Sequence, residues 1–266
     1  MRVTPALAAA AFVGWTGSAS AAPAAKSKPA DVAALAAQLG DADPEVAARA
    51  AHALGDSDQP AAHDALLDGL AFGMETVVAG VAVGELARHP APPDVVAIIR
   101  YARHRDPAVR AAGIAALAGY PDPAARAAVI AALHDGAGMV RTAAAAAAAR
   151  AHLRASIDPL FALLGKGEEP AARALAQLAD PELAARIADH LGQVPEAVLA
   201  LCLGEILLRA DFGPDPARVE VVRALEKITD RSAALALGDY VDRTPRNPPR
   251  PSRAEAERFL SEGTHK

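Results

Sequence analysis

Residues 98–121 read IIRYARHRDPAVRAAGIAALAGYP, and the fold of the whole chain follows from this stretch. It has the order helix, tight turn, helix. Asp106 can cap the second helix with its carboxylate, and Pro107 suits the first helical position because it has no N–H to leave unpaired. Val109, Ile114 and Leu117 then recur at helical spacing. Two helices this short bury little by themselves, so the unit needs a neighbour on each side.

The pattern recurs. Aligned on the valine of D-P-x-V, successive units place anchors at Val46, Val78, Val109, Val140, Ala172 and Val198, with spacings of 32, 31, 31, 32 and 26. Four residues beyond each anchor stand Ala50, Ala82, Gly113, Ala144, Ala176 and Cys202, all small, which predicts close approach of two helix backbones in every unit. Eight residues beyond stand Leu54, Leu86, Leu117, Ala148, Asp180 and Ile206. The face is apolar except at Asp180, so residues 168–180 are expected to form an irregular seam. First helices are expected at 29–39, 60–70, 93–103, 122–133, 157–164, 181–191 and 216–228, and a seventh second helix at 232–241. The stretch TVVAGVAVG at 76–84 has the β-branched and glycine content of a strand, but the register of the repeat assigns it to a helix.

Composition agrees with an all-α chain: alanine, the best helix former, makes up about a quarter of the residues, and aromatics are 3%. The net charge of -5 supplies no basic field to attract nucleic acid. Arg2, an apolar run at 3–15 and the small residues Ala19 and Ala21 read as a secretory signal cleaved after Ala21. The rival reading, an uncleaved anchor, must contend with a run shorter than the roughly 20 residues that span a bilayer. Residues 22–28 read as a linker and 29–242 as the repeat array. Cys202, the single cysteine, falls in the small-residue slot and reads as buried packing.

Residues 243–251 form a Pro/Arg-rich linker expected to be extended, followed by a C-terminal helix and tail at 252–266. Ser252 and Glu255 have the spacing of a capping box. Arg243, Arg246, Arg250 and Arg253 make this the one locally basic surface, a candidate for partner binding; its alternative is a solvated linker.

The units at 35–56 and 98–120 resemble HEAT repeats of the short bacterial kind also found in phycobilisome-lyase proteins. The resemblance covers most of 35–241, with D-P-x-V-R complete only at 106–110. It implies an α-solenoid of about seven two-helix repeats, wound as a right-handed superhelix with the second helices on the concave side. It also implies structural roles: Asp43 and Asp106 at turns, and Arg110, Arg141 and Arg173 in a ladder with turn acids such as Asp106 and Glu169 of adjacent units.

Sequence motifs for chemistry are sparse. None of the eight histidines is spaced H-x-x-x-H or H-x-x-H, no histidine and glutamate adjoin, and there is neither G-x-S-x-G nor a phosphate-binding glycine loop. No metal or cofactor is expected. Glu85 and Glu205 each follow a glycine seven residues after an anchor and are expected to pair with neighbouring helices. The sequence thus points to an exported, monomeric, non-enzymatic scaffold, periplasmic or extracellular, that binds a protein partner through its concave surface or its termini and binds no nucleic acid. The alternative, from the resemblance, is a chromophore-lyase-like or small-ligand-binding protein.

Overall fold

The computed structural model describes residues 29–263; the signal and linker expected at 1–21 and 22–28, and His265, lie outside these residues. Seven helix pairs follow one another: α1 (Pro29–Gln38) with α2 (Pro44–Gly55), α3 (Pro60–Phe72) with α4 (Thr76–Arg88), α5 (Asp94–Tyr101) with α6 (Pro107–Leu117), and α7 (Pro123–Ala132) with α8 (Gly138–Arg150). The remaining three are α9 (Ile157–Leu164) with α10 (Glu169–Leu178), α11 (Pro181–Ala188) with α12 (Glu196–Leu208), and α13 (Asp215–Glu226) with α14 (Arg231–Arg243). A last helix, α15 (Pro251–Gly263), closes the chain.

The starts of these helices are written in the sequence. Asp43, Asp106, Asp122, Asp180 and Asp230 occupy N-caps, each accepting a hydrogen bond from a backbone N–H of the first turn, and proline follows four of them. The β-branched stretch at 76–84 lies within α4: Glu75 caps it through the Val77 N–H at 2.9 Å, and Val78, Ala79, Ala82, Val83 and Leu86 are buried. Tertiary burial outweighs the strand preference there.

Packing is unequal on the two sides of the array. The second helices α2, α4, α6, α8, α10, α12 and α14 pack closely in succession. The first helices meet along fewer residues, and α9 has the least backbone contact with its row neighbours α7 and α11. Long side chains bridge α9 to α11: Arg186 reaches Asp158 at 2.5 Å and lies 4.7 Å from the centre of the Phe161 ring. The closer packing of the second helices is what the inner, concave side of such an array requires.

The small-residue slot is buried at all six positions, Cys202 included. Burial pushes the Cys202 thiol well above its usual range, which suits inert packing and not a nucleophile. Anchors Val46 and Val198 are only half-buried, however; Val198 looks into the groove described below, and Leu199 turns inward in its place.

Within 168–180, α10 is a regular, well-buried helix, yet the unit it belongs to is the most loosely held, since α10 meets α8 less extensively than any other successive second helices meet. Six residues of α10, among them Leu175 and Leu178, are buried, and α10 packs on α8, α9 and α12. Asp180 is not an eroded apolar position: its carboxylate caps α11 through the Leu183 N–H at 2.8 Å and pairs with Arg154 at 2.6 Å.

The C-terminal region also departs from expectation. α14 runs through Arg243 and α15 starts at Pro251, which shortens the extended segment. No capping box forms, because Ser252 lies inside α15 and is fully buried. Its hydroxyl donates to Asp215 at 2.6 Å and its N–H to the same carboxylate at 3.0 Å, while the Tyr240 hydroxyl sits 2.6 Å away. Glu255 instead meets Arg223 and Arg258. These bonds tie α15 to α13 and α14, covering the end of the stack.

Candidate interaction groove and the ion-pair ladder

Two of the three ladder arginines join successive turns. Arg110 donates from Nε and Nη2 to the two oxygens of Asp135, both at 2.9 Å, and from Nη1 to the carbonyls of His104 and Arg105. Arg141 repeats this one unit on, holding Glu168 at 2.7 Å and the carbonyls of Asp135 and Gly136. Each guanidinium thus clamps the turn before its own helix to an acid in the next turn, in the bidentate geometry that arginine favours.

The acids differ from those expected. Asp106 is occupied as an N-cap, accepting from the Ala108 N–H at 2.8 Å, as Asp43 is from Glu45. Glu169 lies on α10 itself, 3.5 Å from Arg173. Arg173 leaves the ladder for Glu205 on α12 at 2.5 Å, because the turn before α12 offers it no aligned carboxylate. Asp135 was missed, although it stands five residues before its anchor, as Asp41 and His104 do. All three accept the backbone N–H two residues on. Aligning the turns as well as the helices would have found it.

The Arg110 guanidinium holds the Asp135 carboxyl below its ordinary value of 3.8. A depressed carboxylate contributes stability that is complete above the unfolded value and is lost as pH falls through the lower folded value. The melting temperature of the native chain should therefore drop more steeply below about pH 4 than that of Asp135→Asn, with the two curves running parallel above pH 5. Parallel curves throughout would show that the pair carries no linkage.

On the concave side, α10, α12 and α14 enclose an open groove of about 900 Å³. Its floor is apolar: Ala197, Leu201, Gly204 and Leu208 of α12 face Leu235 and Ala236 of α14, and Leu235 is 62% exposed. Gly204 allows the close approach, since a Cβ there would stand 2.8 Å from Ala236 Cβ. The rim carries three acids, Glu169, Glu205 and Asp239, and three arginines, Arg173, Arg209 and Arg243. Arg243 pairs with Asp239 at 2.7 Å and Arg173 with Glu205, while Arg209 pairs with Asp211 at 2.7 Å and holds the carbonyls of Ala176 and Ala179 at 2.6 and 2.7 Å. The groove is neutral overall and greasy underneath.

Of the candidate residues, the groove gathers Glu169, Arg173 and Arg243, and Arg246 and Arg250 lie exposed beyond it. Arg253 is not available to a partner. It is buried, donates to the carbonyls of Val241 and Thr244, and pairs with Glu257 at 2.7 Å. The signal for the groove was in α12, EAVLALCLGEILL, which is apolar on every face although only one face can meet its own unit.

Glu85 and His63 belong to a second polar cluster between the first units. Glu85, nearly buried, accepts from His52 at 2.7 Å and from Arg88 at 2.6 Å. The fully buried Asp94 lies 2.7 Å from His63 Nε2 and accepts from the Tyr120 hydroxyl and the Ala91 N–H, each at 2.8 Å. Among the described residues no group of three or more His, Cys, Asp or Glu is placed to hold a metal, and no helix is long and apolar enough to cross a membrane.

Stacked helix pairs with a ladder through their turns and a concave row of second helices define an α-solenoid. Within that class, residues 92–179 match a family model described as HEAT repeats. Among solved structures, it is similar to the complex of CpcE and CpcF of phycocyanin lyase from Nostoc sp. PCC7120, at 18% identity and a TM-score of 0.50 over 92% of this chain and 99% of that one. It is also similar to the karyopherin Kap121p bound to the extreme C-terminus of the protein phosphatase Cdc14p, at 15% identity and a TM-score of 0.51. That match covers 87% of this chain and 29% of the karyopherin. At such identities the likeness is one of fold. No curated protein shows significant similarity to the sequence.

Proposed function

We propose that this chain is an exported, non-enzymatic α-solenoid that binds a protein partner in the groove between α10, α12 and α14. One observation carries the reading: a floor of Leu201, Leu208 and Leu235 is left open to solvent between charges that already satisfy one another. Such a surface gains by covering apolar area and has little to offer a highly charged ligand. Its length along the 13-residue α12, about three and a half turns, suits an amphipathic helix laid into the groove. Export rests on the N-terminal sequence alone and is tested by the intact mass of the envelope form, which should begin at Ala22.

The partner is tested with a photo-crosslinking residue at Leu201 or Leu235, compared with one at the exposed Ala127 on α7, in the native cell envelope. The expected result is a discrete adduct from the groove positions only, abolished by Leu235→Glu introduced beside a crosslinker at Leu201. The same adducts from Ala127 would sink the proposal. Visible absorbance of the purified protein would instead favour the lyase-like reading, since a bound tetrapyrrole is coloured.

A further inference from the structure

At the turn from α12 to α13 lies a separate cavity of about 320 Å³ lined by Ala210, Gly213, Asp215, Arg218, Pro249, Arg250 and Pro251. Arg218 is only 5% exposed, and its hydrogen bonds all go to main-chain carbonyls: Leu207 at 2.7 Å, Arg209 at 2.8 Å and Ala210 at 3.4 Å. Among the described residues no carboxylate pairs with it. Asp215 is the nearest acid in the cavity wall, yet both its oxygens are engaged by Ser252.

Arg250 stands at the mouth. Its side chain is exposed and makes no hydrogen bond or ion pair among the described residues, and prolines on both sides stiffen its backbone. Burial lowers the Arg218 pKa and the Arg250 charge acts in the same direction, while Tyr240, Asp215 and Asp211 act against them without cancelling the two together. Holding two like charges on one small cavity is unfavourable unless something of the opposite sign joins them. Arg218, Arg250 and Asp215 sum to one positive charge, and the N-terminus of the thirteen-residue α15 adds a positive partial charge beside them.

We propose that the cavity between Arg218 and Arg250 binds a single carboxylate. A planar guanidinium suits a planar carboxylate, and one negative charge neutralises the wall where two would overshoot. Arg209 lines the groove and the adjoining Ala210 lines this cavity, so a peptide lying in the groove could place an acidic side chain here; a free small carboxylate would fit equally. The site itself does not depend on the groove reading.

The test is a titration of the full chain with sodium acetate, followed by the Gly213 amide and arginine Nε–H resonances, with sodium chloride at equal ionic strength and inorganic phosphate as comparisons. Saturable shifts with acetate but not chloride are expected, weakened about tenfold by Arg250→Gln, since a charge-assisted hydrogen bond is lost. A non-saturable response, a response unchanged by Arg250→Gln, or tighter binding of phosphate than of acetate would overturn the assignment. A leucine-rich peptide with blocked ends and one aspartate separates the sources. Binding more than tenfold tighter than acetate, with the gain removed by Leu235→Glu, points to a partner's side chain. Affinity equal to that of acetate points to a free carboxylate and leaves the groove reading to fail by itself.

Discussion

Gly113→Ala should destabilise the protein, whereas Gly84→Ala, the same change one unit earlier, should stabilise it. At 113 an added Cβ would lie 2.7 Å from the Ala102 nitrogen, 3.0 Å from its Cα and 3.1 Å from the Tyr101 carbonyl carbon. All three are main-chain atoms at the end of α5, so no rotamer change relieves the clash and the two helices must separate. Overpacking of this kind costs about 1–3 kcal/mol. At 84, on the exposed face of α4, nothing lies within 4 Å of the added methyl. Alanine there gains helix propensity of about 0.5–1 kcal/mol. In a chain of this size each kcal/mol moves the melting temperature by roughly 2–4 °C. Thermal melts of the two variants should move in opposite directions; a shift of the same sign in both would mean that α5 and α6 do not meet at Gly113.

A larger loss is expected from Asp94→Ala. Asp94 has no solvent exposure and is the shared acceptor for His63 of α3, Tyr120 beyond α6 and the Ala91 amide, so it joins the second unit to both ends of the third. Removing it leaves the buried Tyr120 hydroxyl with only the Leu86 carbonyl at 3.3 Å and strips the part-buried His63 and Ala91 donors of their shared acceptor; breaking a buried, hydrogen-bonded pair typically costs about 3–5 kcal/mol. Tyr120→Phe removes one donor and keeps the acceptor satisfied by the others, which should cost about 1 kcal/mol. Chemical denaturation of the two single variants and the double variant checks this. The double variant should lose little more than Asp94→Ala alone, and full additivity would show that the three groups do not act together.

Helix positions were largely readable because proline and aspartate mark their starts and small residues mark their contacts, as at Asp106-Pro107 and Gly113. Features that depend on how far one unit is displaced from the next were less readable. Arg110 could be recognised as a ladder residue, but its choice of Asp135 over Asp106 follows from the rise between turns, which spacing along the chain does not express. Ser252 has the right neighbour for a capping box; Asp215 and Tyr240, brought to it by the return of the chain, compete for its hydroxyl and win. The groove was hidden for a related reason. α12 reads as buried on all sides, and the placement of α10 and α14 beside it leaves Leu201 and Leu208 partly open to the groove.

The unequal packing of the two helix rows gives the array a mechanical character. When a beam bends, length is conserved along its stiffest line and strain collects on the opposite side. Here the closely packed second helices form that line, and the loose contacts on either side of α9, the one toward α11 tethered by Arg186, are where the outer side can stretch or shorten at least cost. Flexing the spring would change the width of the groove between α10, α12 and α14 far less than the spacing of the outer row, so a guest in the groove would meet nearly the same surface in a relaxed or a strained array.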